Sequence, residues 1–181
     1  MADIELESNK SNTSHNLHLC SQTILRGLVI ASTLAAAWLM LTAKQSVIVF
    51  GIPLDARYSY SPAFKFFALA NAIACGFCFL SVLLLFVLSH RLHNQPNYIL
   101  FLHDLLMMVL VASGCAASTA IGYVGKYGNS HTGWSPICDH FGKFCNRVTT
   151  SVAISYLAVI CLLILTIISA TKSASNNNNA H

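Results

Sequence analysis

The chain has 181 residues, the length of one domain, and 55% of them are hydrophobic while 9% are charged, against about 25% charged in an average soluble domain. Ten basic and six acidic side chains cannot clothe a soluble fold of this size, so the composition excludes an ordinary soluble enzyme, a coiled coil and a disordered chain, and points to an integral membrane protein. The net charge of +4 is small and scattered, and nothing in it suggests a nucleic-acid partner.

Residues 1–22 form a polar tail that carries three of the six acids in its first seven residues. It starts acidic, and the apolar run behind it is too long for a signal-peptide core, so the first span is read as its own insertion signal. Four apolar stretches follow, at about 23–43, 66–89, 98–124 and 148–171. Each exceeds the roughly 20 residues needed to cross ~30 Å of hydrocarbon at ~1.5 Å per residue. They are too long for barrel strands and do not alternate, so they are expected to be helices, whose backbones are satisfied internally. The fold class is all-α membrane: a four-helix bundle over 23–171 with short outer loops. Residues 172–181, a Ser/Asn stretch ending in Asn176–Asn179 before the last two residues, are compositionally disordered.

An even number of spans places both termini on one side. With cytosolic termini, Lys10, Arg26, Arg91 and Lys172 lie inside, and Lys44, Arg57, Lys65, Lys126, Lys143 and Arg147 lie outside. That count opposes the positive-inside rule. Cys138 and Cys145 argue the other way. They stand seven residues apart in the third loop, and a disulfide between them requires an oxidising compartment, which sets loops one and three outside. The alternative is a reduced pair in a cytosolic loop. Sequons at Asn9 and Asn12 bear on the same question, since a glycan on either reverses the orientation.

Two charges fall inside the spans. Arg26 lies early in helix one and Asp104 early in helix three, at depths that differ by only about 5 Å. Charges at membrane depth face the bundle interior or a partner. An interhelical salt bridge is the sharp expectation; the alternatives are a snorkelling Arg26 with a protonated or hydrated Asp104, and a proton or ion relay. In helix three, Gly114, Ser118 and Gly122 recur every four residues, a spacing that permits close helix approach. It serves packing within the bundle or between protomers. Asn71, the polar residue of an otherwise bulky helix two, is expected to hydrogen-bond across a helix contact.

The first loop has β-prone pieces on either side of Gly51-Ile-Pro53, which suggests a hairpin. The third carries Trp134, Phe141 and Phe144 beside its cysteines and can fold into a small cap. A zinc site from His131, Cys138, His140 and Cys145 matches no finger spacing. Cys75-Gly-Phe-Cys78 resembles a redox motif but falls near the bilayer centre, where cysteines serve packing. Cys20 is juxtamembrane and a candidate for palmitoylation. His15, His18, His90, His93 and His103 gather near the cytosolic face without forming an identifiable ligand set. No catalytic or cofactor-binding constellation stands out.

An ordered series of residues then accumulates. It comprises Arg26, Tyr60-Ser-Pro-Ala-Phe64 leading to Ala70-Asn71, and Phe101-Leu-His-Asp104-Leu-Leu with the small-residue stretch behind it. Gly128-Asn129, Trp134, Ile137-Cys138, Phe144-Cys145 and Ser151-Val-Ala follow. In this series the chain resembles the plant Casparian strip membrane protein-like (CASP-like) family, related to MARVEL four-helix domains, over roughly 25–169. The resemblance implies a plasma-membrane protein with cytosolic termini that forms homo- and hetero-oligomers. Arg26 and Asp104 then correspond to the family's intramembrane charges, and Cys138 and Cys145 to its loop cysteines. It further implies a scaffold that blocks lateral diffusion and recruits cell-wall-modifying enzymes. The founding members' first-loop signature is not found here, so a broader scaffold role is what transfers. A small transporter or channel subunit and a membrane thiol oxidoreductase using Cys75 and Cys78 are the competing expectations.

Overall fold

The apolar runs become four long α-helices in a computed structural model, with a hairpin between the first two and a loop between the last two. The structure describes the backbone of residues 2–49, 51–91 and 97–178, and side chains over 20–48, 51–84, 86 and 98–171. The side chains of Asn9, Asn12, His15, His18, His90 and His93 lie outside the described residues.

Helix α1 is Ala2–Leu41, α2 Pro62–Arg91, α3 Asn97–Tyr127 and α4 Gly142–Asn178. Their membrane-crossing parts are Cys20–Leu41, Pro62–Leu84, Tyr98–Tyr127 and Gly142–Thr171. The helices therefore run beyond the limits set by hydropathy. Polar residues 2–19 continue α1 backwards and the Ser/Asn stretch to Asn178 continues α4, because extending a helix that is already nucleated adds one hydrogen bond per residue fixed. Local chemistry sets the other ends. Pro62 opens α2, where its missing N–H costs nothing. Gly128 closes α3 at φ +70°, and a Cβ there would stand 2.5 Å from the Trp134 carbonyl oxygen, so glycine is required.

The first loop is an antiparallel hairpin of β1 (Lys44–Val49) and β2 (Ile52–Arg57), in register from Lys44 opposite Arg57 to Val49 opposite Ile52. Gly51 supplies the positive φ, +82°, that its tight turn needs. A single 3-10 turn, Tyr58–Tyr60, leads into α2.

Each helix packs mainly on two neighbours, α1 on α2 and α4, and α3 on α2 and α4. The ring order is thus α1-α2-α3-α4, with α1 diagonal to α3 and α2 diagonal to α4. Val29, Met40, Phe67, Val111, Leu162 and Leu165 fill the centre. Leu34, Trp38, Phe79, Phe86, Leu106 and Ile160 are among the large apolar side chains left on the outside. That inversion of a soluble surface is what a lipid environment requires.

Candidate functional site

The buried centre near the terminal end of the bundle is ionic. Arg26 lies six residues inside the first span and Asp104 six inside the third, so both sit about 9 Å deep. The Arg26 Nη2 donates to Asp104 Oδ2 at 2.8 Å, and both side chains are fully buried. Its Nη1 donates to the Ser81 hydroxyl on α2. His103 Nδ1 lies 3.0 Å from Asp104 Oδ1. Arg26 Nε and His103 Nε2 are buried with no partner among the described residues. The arginine stem spans the bundle diagonal from α1 to α3 and touches α2 on the way. Three helices are thereby fixed by one guanidinium.

A second polar layer ties the other diagonal. Ser155 on α4 donates to Asn71 Oδ1 on α2 at 2.8 Å, and Asn71 Nδ2 donates to the Phe67 carbonyl at 3.0 Å. Cys115 Sγ on α3 donates to Ser155 Oγ at 3.2 Å. Toward the loop end, Ser151 donates to the Ala36 carbonyl at 2.7 Å. The hydroxyl of Ser118 reaches the Ala63 carbonyl at 3.4 Å. Gly114 faces α2 so closely that a Cβ would meet Ala70 Cβ at 3.3 Å. Gly122, at the same periodic spacing, differs: a Cβ there meets nothing within 4 Å. The small-residue stripe of α3 therefore contacts α2 at Gly114 and Ser118; Ser118 already meets the first turn of α2, and Gly122 lies one turn beyond that contact.

The opposite end is capped. Cys138 and Cys145 form a disulfide with Cα atoms 5.7 Å apart, so neither sulfur is free for zinc. The loop is also pinned to α3 by hydrogen bonds from Ile137 N and Cys138 N to the Gly125 carbonyl, at 2.9 and 3.1 Å. Gln45 of the hairpin accepts from the Phe144 N–H at 2.9 Å, and Arg147 donates to the Thr42 carbonyl at 2.9 Å. The hairpin and the end of α1 are thereby tied to the first turns of α4, to which the disulfide also ties the third loop. In the hairpin, Arg57 Nε donates to Asp55 Oδ2 at 2.6 Å. That hydrogen bond, with a weaker one from Tyr60, holds the exposed Asp55 carboxyl below its ordinary range.

The remaining cysteines are separate. Cys75 and Cys78 are unbonded thiols in the interior of α2, with Cys75 Sγ 3.8 Å from the Ile30 carbonyl. Cys20 is exposed at the start of the first span. Sequence reasoning missed Ser81, His103, Cys115 and Ser155 as parts of the polar layers. A signal existed for Ser81: between Phe66 and Val87 of α2, only Asn71 and Ser81 are polar apart from the two cysteines.

These features define a class: a multi-pass integral membrane protein, a four-helix bundle with an ion pair sealed in its interior. The chain belongs to the CASP-like family, since the Casparian strip membrane protein domain matches residues 17–161. It is 56% identical over 176 residues to CASP-like protein 1F2 of Populus trichocarpa, covering 96% of this chain and 97% of that one. It is 52% identical over 176 residues to CASP-like protein 1F1 of Vitis vinifera, covering 96% and 85%. With CASP-like protein 1F1 of Ricinus communis it shares 51% over 174 residues, covering 96% and 97%. No solved structure matches the chain.

Proposed function

We propose that this protein is a non-enzymatic plasma-membrane scaffold that self-associates, pairs with related family members and organises a membrane domain. In this reading both termini are cytosolic, the hairpin and disulfide loop lie outside, and wall-modifying enzymes are the class of partner the outer cap meets. The observation that carries it is the pair of interior diagonals. Arg26 with Asp104 and Asn71 with Ser155 use the buried polar groups to tie helices together. Small-residue contacts at Gly114 and Ser118 close the remaining gaps. A polar side chain engaged in an interhelical tie is not a hydrated path, so the interior acts as a rigid core and the outward apolar faces are left for neighbours. A transporter would instead need polar groups that face a continuous aqueous route.

The test is fluorescence recovery after photobleaching of a C-terminally tagged copy at the plasma membrane of plant cells. Little recovery over minutes, in patches, is the expected result. Rapid and uniform recovery removes the autonomous scaffold and leaves a partner-dependent scaffold or a transport component, which flux assays in vesicles separate.

A further inference from the structure

Where α3 and α4 diverge at the loop end, they leave a cavity of about 560 Å³, within the range of small-molecule sites. Ile121 and Gly122 of α3 form one wall and Val148 and Thr149 of α4 the other; Trp134 roofs it and Lys126 stands at its edge. The roof is fixed in advance, because the Gly125 carbonyl holds it to α3 and the Cys138–Cys145 disulfide holds it to α4. Ile121 lies six residues inside the end of the third span and Thr149 seven inside the start of the fourth. Both are exposed. The cavity therefore opens sideways at about 9–10 Å below the helix ends, which for spans of 30 residues is the boundary between headgroups and acyl chains, and not only to water.

Charge identifies the head of what enters. None of the lining residues is acidic. Lys126 has no acidic partner among the described residues, and its ammonium lies 5.4 Å from the centre of the Tyr127 ring. An apolar slot opening at that boundary, with one cation among its lining residues, matches an amphiphile of opposite charge. We infer that this cavity is a binding site for an anionic phospholipid, with an acyl chain between α3 and α4 and the phosphate on Lys126. Membrane embedding is all that the inference requires; it is independent of scaffolding.

The two tryptophans of the chain allow a direct readout. Full-length protein carrying Trp38→Phe retains Trp134 alone, and Trp38 is exposed on the apolar outside. It is reconstituted in phosphatidylcholine vesicles containing a minor fraction of phosphatidylglycerol, with bromine on the acyl chains of one lipid or the other. Brominated phosphatidylglycerol is expected to quench Trp134 about fivefold more effectively per mole than brominated phosphatidylcholine, the preference one lysine gives at a membrane surface. Lys126→Gln, an exposed position, should abolish that preference. Gly122→Phe fills the cavity from a site where a Cβ meets nothing and should reduce quenching by phosphatidylglycerol to the phosphatidylcholine level, with the disulfide and helical circular dichroism unchanged. Equal quenching by the two lipids, insensitive to Lys126→Gln, overturns the site. Shielding of Trp134 from both lipids that grows with protein density also overturns it, and assigns the groove to a second copy of the chain.

Discussion

Arg26 reaches Asp104 across the full diagonal of the bundle, from α1 to α3, and no water-facing surface touches either side chain. Such a pair is costly to desolvate and dangerous to break, because removing one partner leaves a buried charge. Arg26→Leu or Asp104→Leu should lose about 3–5 kcal/mol, read as a lower unfolding midpoint in detergent or as failure to fold. The swap Arg26→Asp with Asp104→Arg should regain part of the loss, since the Ser81 hydroxyl can donate as well as accept. A swap no better than the single variants would show that pairing is not what holds the diagonal.

The second diagonal is neutral and should be worth less. Ser155→Ala leaves the buried Asn71 Oδ1 without its hydroxyl donor and should lose about 0.6–2 kcal/mol, the range of interhelical hydrogen bonds in membranes. In a double-mutant cycle, Asn71→Leu should make the further change Ser155→Ala markedly smaller, leaving only the weak bond from the Cys115 thiol to be lost. Additive losses would mean that the two residues act separately.

The bundle and the Arg26–Asp104 depth match were legible because lipid imposes a coarse rule. About 20 apolar residues make a span, and a charge within one needs a partner. The hairpin too was visible, through Gly51 and the β-prone residues beside it. What escaped were the contacts that depend on rotation about a helix axis. Ser81, Cys115 and Ser155 are small side chains that suit packing or hydrogen bonding equally, and only the ring order of the helices decides which. The polar extensions of α1 and α4 escaped because hydropathy marks where a helix leaves lipid, not where it stops.

Gly114 and Gly122 share a spacing but not an environment. Gly114→Val pushes its side chain into Ala70 and the Phe67 backbone and should cost about 1–3 kcal/mol by overpacking. Gly122→Ala enters open space and should be neutral or stabilising by up to about 1 kcal/mol, from helix propensity. Thermal unfolding of the two purified variants separates these outcomes. Equal losses would contradict the open space around Gly122.

The cap depends on one short covalent ring. Closing so few residues restricts the unfolded chain by about 2–3 kcal/mol, so Cys145→Ser or reductant should lower the unfolding midpoint by a corresponding amount. The same sulfurs report orientation. On intact cells an impermeant maleimide should label Cys138 and Cys145 only after reduction, and Cys20 only after permeabilisation. Labelling of Cys20 from outside would reverse the proposed topology.

At the hairpin, the Arg57 side chain donates to the exposed Asp55 carboxylate, and Tyr60 adds a second, longer bond. Both favour the ionised form, so the folded pKa lies below the ordinary 3.8 and the partner guanidinium is raised in turn. A depressed carboxylate contributes its stabilisation above its unfolded pKa and loses it as pH falls through the folded value. The pair should therefore persist throughout the neutral and mildly acidic range and open only below 3.8. Titration of the Asp55 carboxyl carbon by nuclear magnetic resonance in detergent micelles should give a midpoint under that value, and Arg57→Ala should raise it toward the ordinary one. A midpoint unmoved by Arg57→Ala would mean that the arginine is not the group that holds the carboxylate ionised.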